Sequence, residues 1–166
     1  MIFIINGQGG SGKDTFVKFC QEFVPDRVIN ISTVDYIKEI AQYLGWEGGK
    51  SEKDRKFLSD LKALSKEYND LPYQQVKRVI FSLNERRKRH PHPIIFIHCR
   101  EPDEIKRFVN EYKAKTILVY NGSRQITSNE SDKNVNNYNY DFIIDNTGTF
   151  DDLKERARNF LEEILP

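Results

Sequence analysis

The sequence predicts an α/β fold in which helices cover both faces of a mostly or wholly parallel five-stranded sheet. Short apolar runs of strand length alternate along the chain with longer segments that repeat apolar residues at helical spacing. A chain of 166 residues is long enough for one hydrophobic core and short for two ordinary domains. We therefore expect one three-layer α/β/α domain over residues 1–166, with ligands at the carboxyl ends of its strands.

The first half of the chain predicts two strands and four helices. Residues 1–6 are an apolar run followed at once by glycines, which is typical of a buried strand, and the helix after them covers residues 12–23. A second strand is predicted over residues 28–31. Helices are expected over residues 33–44, 52–68 and 72–88, and residues 46–51 form a glycine-containing loop.

The second half predicts three more strands and a polar loop. The strands cover residues 94–98, 116–120 and 141–144, and helices cover residues 102–112 and 150–165. Residues 121–139 are polar and rich in asparagine, which in a small domain indicates either a mobile functional loop or a disordered segment. We favour a mobile lid over the ligand site.

Composition and charge argue against several classes of partner. The 26 basic residues nearly balance the 25 acidic residues, so the net charge of +1 predicts no general attraction for nucleic acid or for an anionic membrane. The apolar runs are too short to span a membrane, and the amino terminus has no signal-peptide pattern. Cys20 and Cys99 lack metal-site spacing and are expected to be reduced. We expect a cytoplasmic monomer or homodimer that binds small molecules.

A glycine-rich segment directly follows the first predicted strand and opens the first predicted helix. Its residues are Gly7, Gln8, Gly9, Gly10, Ser11, Gly12 and Lys13. They match the first seven positions of the phosphate-binding motif G-x-x-x-x-G-K-[ST], in the strand and helix context that the motif requires. In such a loop, backbone amides and the helix amino terminus bind phosphate, and the lysine neutralises the outer phosphates. The segment predicts a P-loop NTPase fold that binds ATP.

The next motif position holds Asp14, where a serine or threonine hydroxyl normally binds magnesium. A carboxylate is a good Mg²⁺ ligand, directly or through water, and the Thr15 hydroxyl that follows is placed to bond the phosphate nearest the nucleoside. Asp14 is equally suited to supporting the first helical turn, where negative charge is stabilising. Both interpretations of Asp14 stay open.

The run GKDT after an N-terminal strand resembles the phosphate loop of deoxynucleoside monophosphate kinases and their relatives in the nucleoside/nucleotide kinase superfamily, over residues 1–20. Residues 31–38 are similar to the adenylate kinase segment that begins the acceptor-nucleotide site. The resemblance implies that Thr33 contacts the acceptor base or sugar, and that Lys38 replaces a phosphate-binding arginine. Asp35 would accept a hydrogen bond from a hydroxyl, help to place magnesium, or only begin the helix.

The same resemblance implies phosphate-binding roles for three arginines. Arg100 follows the strand over residues 94–98, where related kinases carry an arginine that reaches the acceptor phosphate; its alternative is a surface ion pair with Glu101 or Glu104. Arg55 lies in the region that closes over the acceptor in these kinases. Arg124 begins the polar segment, where lids supply arginines that neutralise the transferring phosphoryl group.

These features together imply ATP-dependent phosphoryl transfer to a small phosphorylated acceptor, expected to be a nucleoside or deoxynucleoside monophosphate. The cofactors are ATP and Mg²⁺, with Asp14 as the metal ligand. The expected catalytic residues are Lys13, Arg100 and Arg124. The expected acceptor ligands are Thr33, Asp35, Lys38, Arg55 and Arg100.

Three other functions are compatible with the same glycine-rich loop. Phosphomevalonate kinase also has a GKD-type loop, and other small-metabolite kinases share the architecture. A nucleotide-dependent switch would use the same loop, but the chain lacks the guanine-specifying N-K-x-D motif. Residues 146–148 follow the last strand, where an adenine-binding loop is common in this superfamily, and we interpret them as a turn and helix cap.

Overall fold

A computed structural model of the chain describes residues 1–86, 93–122, 135 and 138–165. The chain forms two compact units, one of residues 1–30 with 91–166 and the other of residues 31–90. The organisation as one domain, inferred from the sequence, stays a prediction. Among the helices of the described ranges, none combines the length and the apolar character needed to cross a membrane.

The described residues contain five strands and six helices. The strands are β1 (Ile2–Asn6), β2 (Val28–Ser32), β3 (Ile94–His98), β4 (Lys115–Tyr120) and β5 (Phe142–Asp145). The helices are α1 (Lys13–Phe23), α2 (Asp35–Tyr43), α3 (Glu52–Asn69), α4 (Leu71–Arg86), α5 (Pro102–Tyr112) and α6 (Phe150–Ile164). Each predicted strand and helix is confirmed, with bounds that shift by at most two residues; the predicted end of the third of the middle helices, at residue 88, lies outside the described residues.

The strands form one parallel sheet in the order β2-β3-β1-β4-β5. The central strand β1 pairs with β3 and with β4, and Ile5 lies beside His98 on one side and Ile117 on the other. Strands β1 and β3 therefore end side by side, and the residues that follow each strand emerge at the same edge. The predicted five-stranded parallel sheet is confirmed, and its carboxyl edge carries the glycine-rich loop.

The core lies on both faces of this sheet because successive strand side chains point in opposite directions. Phe3 and Ile5 of β1 belong to a buried cluster with Phe16 of α1 and Phe160 of α6. The rings of Phe3 and Phe160 meet edge to face, with centroids 5.2 Å apart. Ile4 of β1 is fully buried on the opposite face, where α5 packs against β1. Helices on both faces give the predicted three layers.

The unit of residues 31–90 contains α2, α3 and α4, which pack against one another. Its apolar interior includes Ile37 of α2 and Ile80 of α4, both buried. Helix α3 begins at a capping box in which Ser51 and Asp54 exchange hydrogen bonds, so the preceding loop ends sharply there.

Helix α6 begins with a second capping box that makes the stability of the fold sensitive to acid. The backbone N–H of Thr149 donates to the Asp152 carboxylate at 2.6 Å, and the Thr149 hydroxyl donates to it at 2.8 Å. These two bonds lower the pKa of Asp152 below its usual 3.8. Because the folded-state pKa is the lower one, the stabilisation is complete above the unfolded value and is lost as the pH falls through the folded value.

We therefore expect wild type to be more stable than Asp152→Asn near neutral pH, and we expect this difference to shrink as the pH falls below 3.8. Chemical denaturation of both proteins across that range measures it. A difference that stays constant down to the acid limit would show that the Asp152 carboxylate does not stabilise the helix start.

Candidate active site

The glycine-rich loop leads from the end of β1 to the start of α1 at the carboxyl edge of the sheet. Gly7, Gly10 and Gly12 have φ angles of 150°, 72° and 97°, which residues with a Cβ rarely adopt. A Cβ on Gly7 would collide with the carbonyl oxygen of Val119, and one on Gly12 would collide with the side-chain amide of Asn146. Glycine is therefore required at both ends of the loop.

Lys13 is the first residue of α1, and its side chain folds back over the loop. Its Nζ donates to the carbonyl oxygens of Gly7 and Gln8 at 2.7 and 2.8 Å, and to the Ser11 hydroxyl at 3.5 Å. The residue is only 8% exposed. The ammonium group lies beside the positive end of the helix dipole, so the loop has a local positive charge although the whole chain is nearly neutral. Such a site is suited to the phosphate chain of a nucleotide.

Asp14 lies in the first turn of α1, and its carboxylate is 92% exposed. Within the described residues, no group of three or more His, Cys, Asp or Glu side chains is arranged to hold a metal ion. A magnesium ion at a nucleotide site needs only one or two carboxylates, because phosphates and water complete its coordination. The exposed carboxylate next to the loop fits that chemistry. Metal binding by Asp14 stays a prediction.

His98 lies at this edge of the sheet, and the sequence pattern gave it no role. It ends β3 in register with Ile5 of β1, and its side chain is 14% exposed. Its Nε2 lies 3.7 Å from Oδ1 of Asp14, the unusual residue of the loop. A polar residue at the carboxyl end of a buried parallel strand was the available signal, since ligands bind at that edge.

Arg100 lies two residues beyond the end of β3, at the same edge as the loop, and is half-buried. The backbone N–H of Cys99 still donates to the carbonyl oxygen of Ile5 at 3.4 Å, so this segment continues along β1. Glu104 is only 2% exposed, and its carboxylate accepts a bond from the Cys99 thiol at 3.5 Å. The ion pair with Glu101 or Glu104 that the sequence offers as an alternative role for Arg100 stays a prediction.

The other predicted acceptor ligands belong to the unit of residues 31–90. Thr33 is buried, and Asp35 accepts a bond from the backbone N–H three residues before it at 2.7 Å, so it supports the start of α2. Lys38 on α2 and Arg55 on α3 are exposed. Arg124 and most of the predicted lid lie outside the described residues. Acceptor binding by Thr33, Asp35, Lys38 and Arg55, and the catalytic role of Arg124, stay predictions.

Asn146, between β5 and α6, is bonded directly to the glycine-rich loop. Its side-chain Nδ2 donates to the carbonyl oxygen of Ser11 at 2.9 Å, and its backbone N–H donates to the carbonyl oxygen of Tyr120 at 2.6 Å. The sequence predicted only a turn and a helix cap at residues 146–148. It did not predict the bond from Asn146 to Ser11, because these residues are 135 positions apart in the chain. The helix cap itself is Thr149.

Buried Asn6 connects the other end of the loop to the residues before β5. Its Oδ1 accepts from the backbone N–H of Gly7 at 2.8 Å, and its Nδ2 donates to the Tyr140 hydroxyl at 2.8 Å. That hydroxyl donates in turn to the carbonyl oxygen of Val135 at 2.9 Å. Burial raises the pKa of Tyr140 to about 12, so the phenol keeps the proton that it donates.

Comparison with known proteins finds a similar fold in proteins of distant sequence. No family model and no curated protein matches the chain. The structure of shikimate kinase from Bacteroides thetaiotaomicron aligns at a TM-score of 0.50 and 15% identity, over 98% of this chain and 96% of that chain. The chain therefore shares its α/β fold with that structure.

Two further kinase structures align less closely. Shikimate kinase from Acinetobacter baumannii in complex with shikimate aligns at a TM-score of 0.46 and 13% identity, over 99% of this chain and 92% of that chain. APS kinase from Mycobacterium tuberculosis aligns at a TM-score of 0.44 and 11% identity, over 97% of this chain and 96% of that chain.

The bond from Asn146 to the P-loop gives a direct test of the site. Asn146→Asp keeps the side-chain shape but places a carboxylate against the carbonyl oxygen of Ser11. We expect ATP affinity, measured by calorimetry, to fall about tenfold or more, because the loop loses a donor and gains negative charge near bound phosphate.

Two other variants control for the lost donor and for the added charge. Asn146→Ala removes the donor without adding charge and should weaken ATP binding less than Asn146→Asp. Asn159→Asp adds the same charge at an exposed position of α6 and should leave affinity unchanged. Wild-type affinity in Asn146→Asp would show that this bond does not support the P-loop.

Proposed function

We propose that the protein is an ATP-dependent kinase that transfers a phosphoryl group to a nucleoside or deoxynucleoside monophosphate. The observation that carries the proposal is the ammonium group of Lys13, held within hydrogen-bond distance of two loop carbonyl oxygens at the amino terminus of α1. A phosphate chain bound in this loop meets a fixed cation and backbone N–H donors, which need no rearrangement during the reaction.

The proposed reaction depends on positioning and charge neutralisation. Lys13 and the loop amides hold the donor phosphates, and Arg100 neutralises the acceptor phosphate. An oxygen of the acceptor phosphate attacks the γ-phosphorus of ATP, and the bond from that phosphorus to the bridging oxygen breaks, so ADP leaves with the electron pair. The attacking oxygen is already anionic, so no general base is required. Mg²⁺, when bound by Asp14 and the donor, neutralises charge on the phosphates.

The acceptor site is proposed to include Thr33, Asp35, Lys38 and Arg55. Lys38 and Arg55 are exposed cations, which suits them to an anionic ligand, and Thr33 is proposed to contact the base or sugar. Arg124 is proposed to neutralise the phosphoryl group in transfer. The roles of Thr33, Asp35 and Lys38 are supported by the resemblance of residues 31–38 to the adenylate kinase acceptor segment.

A small metabolite is the second candidate acceptor, because shikimate kinase has the same fold at a TM-score of 0.50. The acceptor's reacting group separates the two candidates. A hydroxyl acceptor has a proton to lose and needs a general base, whereas a phosphate acceptor does not. The nucleotide is preferred because it needs no such base.

A coupled assay of ADP release tests the proposal across an acceptor panel. The panel contains nucleoside and deoxynucleoside monophosphates, phosphomevalonate and shikimate, each with ATP and Mg²⁺. We expect at least one nucleoside monophosphate to raise ADP release above the rate without acceptor. ATP binding with no acceptor-dependent ADP release would overturn the kinase proposal and favour a nucleotide-dependent switch.

Arg100→Lys tests the acceptor clamp, because it keeps the charge but removes the planar fork that binds two phosphate oxygens. We expect the KM for the acceptor to rise about tenfold or more, with the KM for ATP unchanged. Arg158→Lys is the control, since Arg158 is exposed and lies over the ring of Phe23 at the other end of α1. An unchanged acceptor KM in Arg100→Lys would remove Arg100 from the site.

A further inference from the structure

We propose that Asp14 and His98 together form the protein's half of a divalent-metal site that favours a first-row transition ion over Mg²⁺. Phosphate oxygens of the bound nucleotide and water complete the coordination. The inference rests on the proposed function, because the phosphates come from the nucleotide in the P-loop.

The two donors come from neighbouring segments at the same edge of the sheet. His98 ends β3 beside Ile5, and one residue beyond Ile5 the chain leaves β1 to enter the P-loop. Asp14 is the second residue of α1, which begins where that loop ends. Strand pairing therefore fixes the imidazole beside the loop whose anion site the metal would share.

The distance between the donors fits two ligands of one ion. Nε2 of His98 and Oδ1 of Asp14 are 3.7 Å apart, which is too long for a direct hydrogen bond. Two donors that each lie about 2.1 Å from a metal are about 3.0 Å apart at a right angle and about 3.6 Å apart at 120°. The carboxylate is 92% exposed, so a small torsion of its side chain closes the difference.

The two side chains differ in exposure, which suits His98 to be a fixed ligand and Asp14 to be an adjustable one. Nε2 of His98 is buried, so the position of the imidazole is set by the protein rather than by the ion. The Asp14 carboxylate extends into solvent, where an ion that arrives with the nucleotide reaches it. A buried nitrogen donor and an exposed oxygen donor leave the other coordination positions to phosphate and water.

The donor set determines which ion is preferred. Carboxylate, phosphate and water oxygens suit Mg²⁺, whereas imidazole nitrogen raises affinity for transition ions much more than for Mg²⁺. The usual motif offers a hydroxyl at this position and so an all-oxygen site. Here a carboxylate replaces that hydroxyl and an imidazole lies beside it, so Mn²⁺ or Co²⁺ should bind more tightly relative to Mg²⁺ than at an all-oxygen site.

Electron spin-echo spectroscopy of bound Mn²⁺ tests this inference without measuring activity. The sample is the full chain with Mn²⁺ and the β,γ-methylene analogue of ATP, which is not hydrolysed. A bound imidazole produces a ¹⁴N coupling to Mn²⁺. We expect this coupling in wild type and its loss in His98→Gln. The double variant His90→Gln, His92→Gln, which replaces the other two histidines of the chain, should keep it.

Metal affinity gives the second measurement. The ratio of the Kd for Mg²⁺ to that for Mn²⁺, in the presence of the analogue, should fall about tenfold in His98→Gln. Asp14→Asn, at the exposed position, should weaken both metals and keep the ¹⁴N coupling at saturating Mn²⁺. His98→Asn replaces the glutamine variant if the latter does not fold.

The outcomes separate this inference from the proposed function. Tight binding of the analogue with no ¹⁴N coupling in wild type, or with coupling that persists in both His98 variants, overturns the metal site and leaves the kinase proposal intact. The pair would then serve only to order the first turn of α1. Failure of the analogue to bind contradicts the kinase proposal and the metal site together.

Discussion

Replacing Lys13 by alanine is expected to reduce phosphoryl transfer sharply and to leave the fold intact. The ammonium group is the cation that the loop holds at its centre, within 2.8 Å of two carbonyl oxygens. Its loss removes charge neutralisation that is fixed before the reaction begins, so kcat/KM should fall about a thousandfold. ATP affinity should fall as well, since the lysine would contact the bound phosphates.

Lys18→Ala is the matched control for this experiment. Lys18 lies on the same helix, is exposed, and has the same charge. It should retain wild-type activity, and circular dichroism should show that both variants stay folded. Substantial transfer by folded Lys13→Ala would show that the glycine-rich loop is not the donor site.

Replacing Gly12 by alanine is the second change with a large expected effect. The position has a φ of 97°, where an L-residue is strained, and the new Cβ would collide with the side-chain amide of Asn146. The amide must then give up its bond to the carbonyl oxygen of Ser11, and the loop must move. We expect ATP binding to be lost and the free energy of unfolding to fall by about 2 kcal/mol or more.

Gly45→Ala separates backbone strain from collision. Gly45 has a nearly equal φ of 92°, but nothing lies within 4 Å of the position of a new Cβ. The free energy of unfolding of Gly45→Ala should therefore fall only by the cost of the backbone strain, about 1 kcal/mol, and the variant should keep its affinity for ATP. If Gly12→Ala and Gly45→Ala lost equal stability and equal ATP affinity, the collision with Asn146 would not be the cause of the losses in Gly12→Ala.

A double variant identifies the partner in that collision. Asn146→Ala alone should weaken ATP binding modestly. Combined with Gly12→Ala it should recover part of the lost stability, because the clash is gone, and chemical denaturation of the four proteins in the cycle gives the coupling free energy. Strict additivity would contradict a direct contact between positions 12 and 146.

The strands and helices were predictable because the signals that define them are local. The run from Ile2 to Asn6 is apolar and ends at glycines, and Asp152 follows Thr149 at the spacing of a helix cap. The alternation of strands and helices also predicted a parallel sheet, since a parallel pair requires a crossover connection. The P-loop was predictable for the same reason, because its seven residues are contiguous.

The contacts around the P-loop were not predictable, because they depend on strand order. His98 meets Asp14 only because β3 is the neighbour of β1, and periodicity does not reveal that order. Asn146 reaches Ser11 from the far end of the chain in the same way. For Asp35, a local contact leaves the functional question open. Its carboxylate accepts a hydrogen bond from a backbone N–H at the start of the helix, one of the roles that the sequence predicted, and that bond does not exclude contact with an acceptor.

The transfer of the γ-phosphoryl group of ATP to a nucleoside monophosphate is tested most directly by ³¹P NMR. With protein, ATP, Mg²⁺ and each acceptor in turn, the signals of ADP and of one nucleoside diphosphate should grow in a one-to-one ratio. Both signals should grow far more slowly with Lys13→Ala. Growth of inorganic phosphate in place of the nucleoside diphosphate, for every acceptor, would contradict a kinase and indicate a nucleotide hydrolase.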